Sequence, residues 1–450
     1  MARIHRVSLR WAQIVVAMLL ILAWVTPARA FVLAEDPFAE TSTELGLTLR
    51  TFTFLFASPI LRPPYSLMDE NPSGAALADL RVIFAHKTPH WQFVAHGQLT
   101  PRVGSSGGGL AGMGRGASPS RWLPLRAWIA KKDRVSVLAS LDWLYARATY
   151  GPVSITLGRQ PVSLGRGQLW HPLDMISMFS LTEVDTEYKP GADALRIDWQ
   201  VAERSSMAFF AVVGELADDT DAALSLRGSS FLFRFKQGLA KAEVGLLAGF
   251  VRGDAVVALD GTVDLGFGDL YGEVVVNMPT AKSLTPQTEA RCATALPPVY
   301  DCAGTTPRAV IRAMAGLRFK PKKKITTSVE VFYNGFGTLD HARYLSTMAS
   351  ERVAIGEVVG LGQLYAGATF LWEVHPLVKI QGALISNVGD PSALLFSGVS
   401  YNVAANVDLL GGFYLPIGRL PDISHRPQVT PRDEYGMYPT FFFVEVKVAL

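Results

Sequence analysis

Apolar and polar residues alternate along this chain in short segments, and the connections between those segments alternate as well. The last ten residues are the plainest case. In Phe441-Phe-Phe-Val-Glu-Val-Lys-Val-Ala-Leu450, Val444, Val446, Val448 and Leu450 fall on one face, with Glu445 and Lys447 on the other, because strand side chains have period two. Val135, Val137, Ala139, Leu141, Trp143 and Tyr145 stand opposite Ser136, Ser140 and Asp142, and Phe231, Phe233 and Phe235 stand opposite Arg234 and Lys236. Ala309, Ile311, Ala313, Ala315, Leu317 and Phe319 oppose Arg308, Arg312, Arg318 and Lys320.

Extending this reading predicts strands over 44–56, 79–87, 91–100, 134–149, 152–160, 192–202, 206–214, 228–237, 240–251, 255–260, 263–277, 308–320, 325–334, 361–373, 377–386, 393–403, 406–415 and 440–450. That is eighteen. The weakest is 255–260 with its turn at Gly261-Thr262, so sixteen stays open as the alternative. Alternate connections are tight turns, such as Thr88-Pro89-His90, Tyr150-Gly151-Pro152 and Ala404-Ala405. Most of those between are long and rich in Gly and Pro: 57–78, 101–133, 161–191, 215–227, 278–307, 335–360 and 416–438. Short turns on one side and long loops on the other are the mark of an all-β, transmembrane, antiparallel up-and-down β-barrel with both termini on the periplasmic side. The apolar face of each strand then meets outer-membrane lipid.

The first thirty residues do not fit the period. Arg3, Arg6 and Arg10, the apolar stretch Trp11 to Val25 and Pro27-Ala28-Arg29-Ala30 have the layout of a secretory signal cleaved after Ala30. The apolar stretch is shorter than the roughly 20 residues of a spanning helix. The expected division is a signal over 1–30 and one barrel over 31–450.

Charge changes once the signal is set aside. The whole chain carries +3, but residues 1–30 hold four arginines and no acid, leaving 38 basic against 39 acidic residues, a net of −1. Nucleic acid is not an implied partner. The two cysteines, Cys292 and Cys302, lie ten residues apart in one outward stretch, and in an exported chain such a pair is expected to form a disulfide.

Candidate chemistry is sparse. Val103 to Gly116 is glycine-rich but lacks the Gly-Lys-Ser/Thr of a phosphate loop. His86 and His90 stand four apart, which converges on a helix but not across a strand end. No Gly-x-Ser-x-Gly occurs. Neither metal, cofactor nor enzymatic activity is expected.

The informative connection is 161–191. It carries Trp170, Leu173, Met175, Ile176, Met178 and Phe179, which a freely solvated loop does not favour. It therefore needs a surface, and the barrel interior is the one available. It holds Asp174, Glu183, Asp185 and Glu187, with Arg159 and Arg166 at its start, while Arg196, Arg234, Lys241, Arg308, Arg312 and Arg318 point inward from strands. Opposed walls of unlike charge would set a field across a constriction. The alternative is that these charges only pair and hold the segment.

Gly158-Arg159-Gln160, Gly165, Trp170-His171-Pro172-Leu173-Asp174 and Glu187-Tyr188-Lys189-Pro190-Gly191-Ala192-Asp193-Ala194-Leu195-Arg196 resemble outer-membrane barrels of the alginate-export type, and within that group the barrels of myxobacterial-type exopolysaccharide secretion. His171 stands where Asn is expected, and the chain ends in Leu450 where such barrels end in an aromatic residue. The resemblance implies export of a polysaccharide with a separate periplasmic export protein. The residues alone equally allow an uptake porin for small anionic or polar solutes.

Overall fold

The computed structural model describes residues 31–36, 38–57, 73–104, 121–132, 134–177, 187–214, 228–279, 309–348, 350–354, 356–422, 424 and 430–449. Among them are twenty strands: β1 (Phe31–Asp36), β2 (Thr41–Ala57), β3 (Ser73–Lys87), β4 (Trp91–Gly104), β5 (Arg126–Lys132), β6 (Val135–Tyr150), β7 (Val153–Pro161), β8 (Gly191–Ala202), β9 (Ser205–Val213) and β10 (Ser230–Gly238). The second half continues with β11 (Ala242–Val251), β12 (Asp254–Asp264), β13 (Gly268–Met278), β14 (Val310–Lys322), β15 (Ile325–Asn334), β16 (Leu364–His375), β17 (Val378–Asn387), β18 (Ser392–Ala404), β19 (Val407–Ile417) and β20 (Thr440–Ala449).

Eighteen of these close a ring. Every neighbour is antiparallel, and β2 pairs with β20 from Thr48↔Ala449 to Ala57↔Thr440. Closure satisfies every backbone donor and acceptor of the wall without water and leaves no edge. The other two strands are accessories. β1 pairs with the first residues of β2, from Phe31↔Leu45 to Asp36↔Thr41. β5 lies along β6 from Arg126↔Ser140 to Lys132↔Val135, beyond the point where β7, paired to Leu144–Tyr150, has ended.

Two features differ from the period-two reading. The turn placed at Gly261-Thr262 is instead continuous strand, since Gly261 pairs with both Val244 and Gly272. The chain reverses at Leu265–Phe267, where Gly266 has φ 84 and donates to Asp264 Oδ1 at 2.7 Å. In β6 the alternation breaks at Asp142, because the register against β4 steps from His96↔Trp143 to Gly97↔Leu141. That bulge gives Asp142 and Trp143 the same side of the wall. Trp143, expected to face lipid, instead stacks on the buried His96 at 4.2 Å.

The lumen is not purely polar. Phe52, Phe54 and Phe56 of β2 and Phe441 and Phe443 of β20 are buried on the Glu445 face, while Leu55, Phe442 and Val444 between them are exposed toward lipid. Exposed aromatic residues ring the short-turn end at Trp91, Tyr150, Trp199, Phe267 and Trp372 and recur near the other end at Phe231, Phe250 and Tyr333, the two girdles of a membrane barrel. Connection 335–363 contains two short helices, α1 (Tyr344–Met348) and α2 (Glu351–Ala354). No helix among the described residues is long and apolar enough to cross a membrane.

Candidate functional site

The chain leaves the wall after Pro161 and folds into the lumen, and two limbs of this segment are described: an outgoing limb, 161–177, and a return limb, 187–190. Val162, Leu164, Leu173, Met175 and Ile176 of the outgoing limb are at most 3% exposed. They pack against Phe210, Val212, Leu232, Val256 and Val275 of β9, β10, β12 and β13. Trp170 stacks on Phe332 at 5.6 Å and lies 5.9 Å from Tyr365. Gly367 makes that possible, since a Cβ there would come within 2.8 Å of the indole.

Polar anchors surround this packing, and they come from the wall. Glu273 accepts from the backbone N–H groups of Arg166 and of Leu173, the latter at 2.9 Å. Glu330 accepts from the N–H groups of Gln168 at 2.5 Å, Leu169 at 3.0 Å and Trp170 at 3.2 Å, and from the Tyr271 hydroxyl at 2.6 Å. An irregular segment cannot satisfy its own donors, so buried carboxylates do it. Arg166 reaches Asp260 and Glu243 and donates to Thr262 Oγ1 at 3.2 Å. Arg234 bridges the Leu164 carbonyl and Asp260, both at 2.9 Å.

Asp174 organises the limb from within. Its carboxylate accepts from the N–H groups of Leu164 at 2.5 Å and Gly165 at 3.0 Å and from Lys189 Nζ at 2.6 Å, joining the outgoing limb to the return limb. Burial drives the neighbouring His171 below its ordinary pKa, so the imidazole is a neutral packing group at physiological pH.

The return limb meets the opposite wall. Glu187 accepts from Arg50 of β2 and from Lys447 of β20, the latter at 2.6 Å. Partial burial pushes its carboxyl up, but these two cations outweigh it and hold the pKa below the usual value. Tyr188 lies between Arg81, 4.3 Å from the ring centre, and Arg50, at 5.2 Å. Trp143 Nε1 donates to the Lys189 carbonyl at 2.9 Å.

The remaining expected residues scatter. Arg159 is a wall anchor: fully buried, it is bidentate to Asp193 at 2.7 and 2.9 Å and donates to the carbonyls of Leu141 and Leu123. Asp193 in turn accepts from the N–H groups of Trp122 and Leu123, so this pair staples the segment before β5 to the wall. Arg196 pairs with Asp198 at 2.7 Å and Arg318 with Asp269 at 2.9 Å. Arg312 is buried between Asn277 and the Glu357 carbonyl, each at 3.1 Å. Lys241 lines a cavity of about 490 Å³ with Arg166, Glu243, Asp269 and Arg318. Phe179, Glu183, Asp185, Arg308, Cys292, Cys302 and residues 1–30 lie outside the described residues.

The basic strand residues thus do not form one wall opposite an acidic loop. The groups that hold the outgoing limb are carboxylates of the wall, Glu243, Asp260, Glu273 and Glu330, together with Arg234. The return limb is held by Arg50 and Lys447. Arg234 and Lys447 were expected to face the lumen, but sequence reasoning passed over Arg50 and the four carboxylates, although Glu330 stands between Val329 and Val331 and Glu273 just before Val274-Val275-Val276. No cluster of three metal-ligating side chains occurs among the described residues.

No protein-family model matches the sequence, and no curated protein matches it. Solved structures do. OccAB1 of Acinetobacter baumannii superposes with a TM-score of 0.52 at 10% identity, covering 94% of this chain and 98% of that one. OccK8 (OprE) of Pseudomonas aeruginosa gives 0.53 at 9% identity, covering 91% and 98%. A BenF-like porin from Pseudomonas fluorescens Pf-5 gives 0.51 at 10%, covering 91% and 98%. Nothing in these likenesses supports the alginate-export or exopolysaccharide part of the resemblance. At such identities the likeness shows the fold alone, and the fold is the eighteen-stranded, multi-pass β-barrel of outer-membrane porins.

Proposed function

We propose that this chain is an outer-membrane channel through which small polar solutes, anions among them, diffuse passively, with the 161–190 segment as its constriction. The observation that carries this reading is the grip on the segment's two described limbs by opposite walls, through Glu273 and Glu330 on one side and through Arg50 and Lys447 on the other. A path beside a fixed segment suits small solutes. The cavity of about 490 Å³ beside Arg166 is on the scale of a small-molecule site. Its lining carries both signs of charge, Arg166, Lys241 and Arg318 with Glu243, Asp264 and Asp269, which favours polar solutes over apolar ones. Arg50, Arg81 and Lys447 gather beside the return limb, where Glu187 and Asp142 pair with them and a passing anion would compete for them.

Polysaccharide export with a separate periplasmic protein, implied by the sequence resemblance, finds less support, since a polymer would require the inward segment to leave the lumen. Deleting residues Arg166 to Glu187 tests the reading. Single-channel conductance in planar bilayers is expected to rise several-fold, and proteoliposomes should become permeable to oligosaccharides that the intact barrel excludes. Unchanged conductance and exclusion would mean that the segment does not set the pore.

A further inference from the structure

The long-loop side of the barrel holds a buried polar cluster, centred on Glu434, that the inward segment does not use. The connection 416–438, expected to face outward, turns inward near its end, where Asp433, Glu434 and Tyr435 are at most 1% exposed. Tyr435 joins the aromatic lining formed by Tyr414, Phe441 and Phe443. Glu434 Oε1 accepts from the Leu361 N–H at 2.9 Å, and its Oε2 accepts from the Tyr365 hydroxyl at 2.5 Å and from Asn387 Nδ2 at 2.9 Å. One carboxyl thus ties 416–438 to the connection before β16 and to the ends of β16 and β17.

A second carboxyl stands beside it. Asp390, in the turn between β17 and β18, accepts from the backbone N–H of Glu434 at 2.7 Å, from the Tyr344 hydroxyl of α1 at 2.6 Å and from Ser392 Oγ at 2.6 Å. Among the described residues no arginine, lysine or histidine bonds to either carboxyl. The other titratable groups around Glu434 are Tyr365, Tyr435 and Tyr438, with Asp433 turned to Arg419 and to the Gly436 N–H. Burial, helped by the Asp390 charge, outweighs the three donors and pushes the Glu434 carboxyl up to about 6.

The sign of the coupling follows from that direction. A carboxyl whose pKa is raised in the packed arrangement, above the 4.5 it regains in water, contributes stability below the ordinary value and loses it as pH rises through the packed one. Neutral Glu434 is tolerated among buried groups. Ionised Glu434 faces Asp390 with no cation to balance the two charges. We propose that this cluster is a proton-operated latch at the mouth of the barrel, which holds 356–363 and 430–438 inward in acid and releases them toward neutral pH.

The test reads hydrogen exchange in the full barrel in nanodiscs, with the protection of 356–363 and 430–438 corrected for the intrinsic exchange rate at each pH. Wild-type protection should be about tenfold higher at pH 5 than at pH 8, a window above that in which Glu187 titrates. Glu434→Gln, whose amide copies the neutral acid, should keep the high protection at both values. Asp390→Asn retains an acceptor but removes a charge, and should move the transition to lower pH. Single-channel conductance should rise from pH 5 to pH 8 in the wild type and stay level in Glu434→Gln. Only the conductance arm rests on the channel reading; exchange is read whatever the lumen passes, so the latch can fail while that reading stands. Wild-type protection or conductance that is level across this range, or a Glu434→Gln barrel that keeps the wild-type response, would overturn the latch.

Discussion

The two limbs of the inward segment are held by different physics. The outgoing limb is built like a protein core: five apolar side chains at most 3% exposed, an indole packed against two aromatic rings, and a run of backbone donors capped by Glu273 and Glu330. Beyond Lys189, which Asp174 of the outgoing limb and Trp143 hold, the return limb rests on Glu187, whose side chain is 45% exposed, and on cations around the Tyr188 ring. A buried, hydrogen-bonded contact is little screened by salt, whereas an exposed ion pair contributes about 1 kcal/mol or less and is screened. The first limb therefore fixes the position of the segment, and the second is the part that conditions in the lumen can move.

The largest effect expected from a single substitution follows from Glu330→Ala. It removes the acceptor of three backbone N–H groups and of the Tyr271 hydroxyl, at a cost on the order of 1–3 kcal/mol for each orphaned buried donor. The outgoing limb should leave the wall and conductance should rise several-fold while the barrel stays folded. Conductance equal to wild type would show that packing alone secures the limb. Trp170→Ala should act next most strongly. It removes the indole packed against Phe332 and Tyr365 at a cost of roughly 3–5 kcal/mol, but leaves every Glu330 bond in place. A partial rise in conductance with a noisier open state is the outcome to look for in single-channel records.

Much of this architecture was legible in the alternation alone. Closure, strand number and the side of each long loop follow from period and turn length, and the apolar residues of 161–177 already required an interior surface. β5 escaped because Arg126-Ala-Trp-Ile-Ala-Lys-Lys132 carries no clean period and is almost wholly exposed. The Trp143 face was misread because one extra residue at Asp142 inverts everything after it, and a bulge leaves no mark in hydrophobicity. The gripping carboxylates were harder still. That Glu273 faces the lumen can be read from its strand, but that it stands level with Leu173, a hundred residues earlier, depends on the shear of the whole barrel. Sequence period assigns a face and not a height, which is why the basic residues, correctly alternating, were expected to form one wall when Arg196, Arg312 and Arg318 each close a separate local pair.

The smallest effect should come from the return limb, and it separates the limbs most cleanly. Glu187 has its pKa held below the ordinary value near 4.5, with burial opposing and Lys447 and Arg50 prevailing. A carboxylate depressed in the folded state contributes stability that is present above its unfolded pKa and lost as pH falls through the folded value. The clamp is therefore complete at pH 7 and begins to weaken only below about 4.5. Because Glu187 is nearly half exposed, its contribution stays within about 1 kcal/mol. Glu187→Gln at neutral pH should reproduce the acidic state: Arg50 and Lys447 lose their shared carboxylate and become available to mobile anions, so the reversal potential in a KCl gradient should move toward that of chloride. The total conductance should change little, since the outgoing limb remains in place. The wild-type barrel should show the same shift on acidification and the variant should show little further change. A variant whose selectivity matches wild type at neutral pH would mean that Tyr188 and Lys189, and not the ion pair, hold the return limb against the wall.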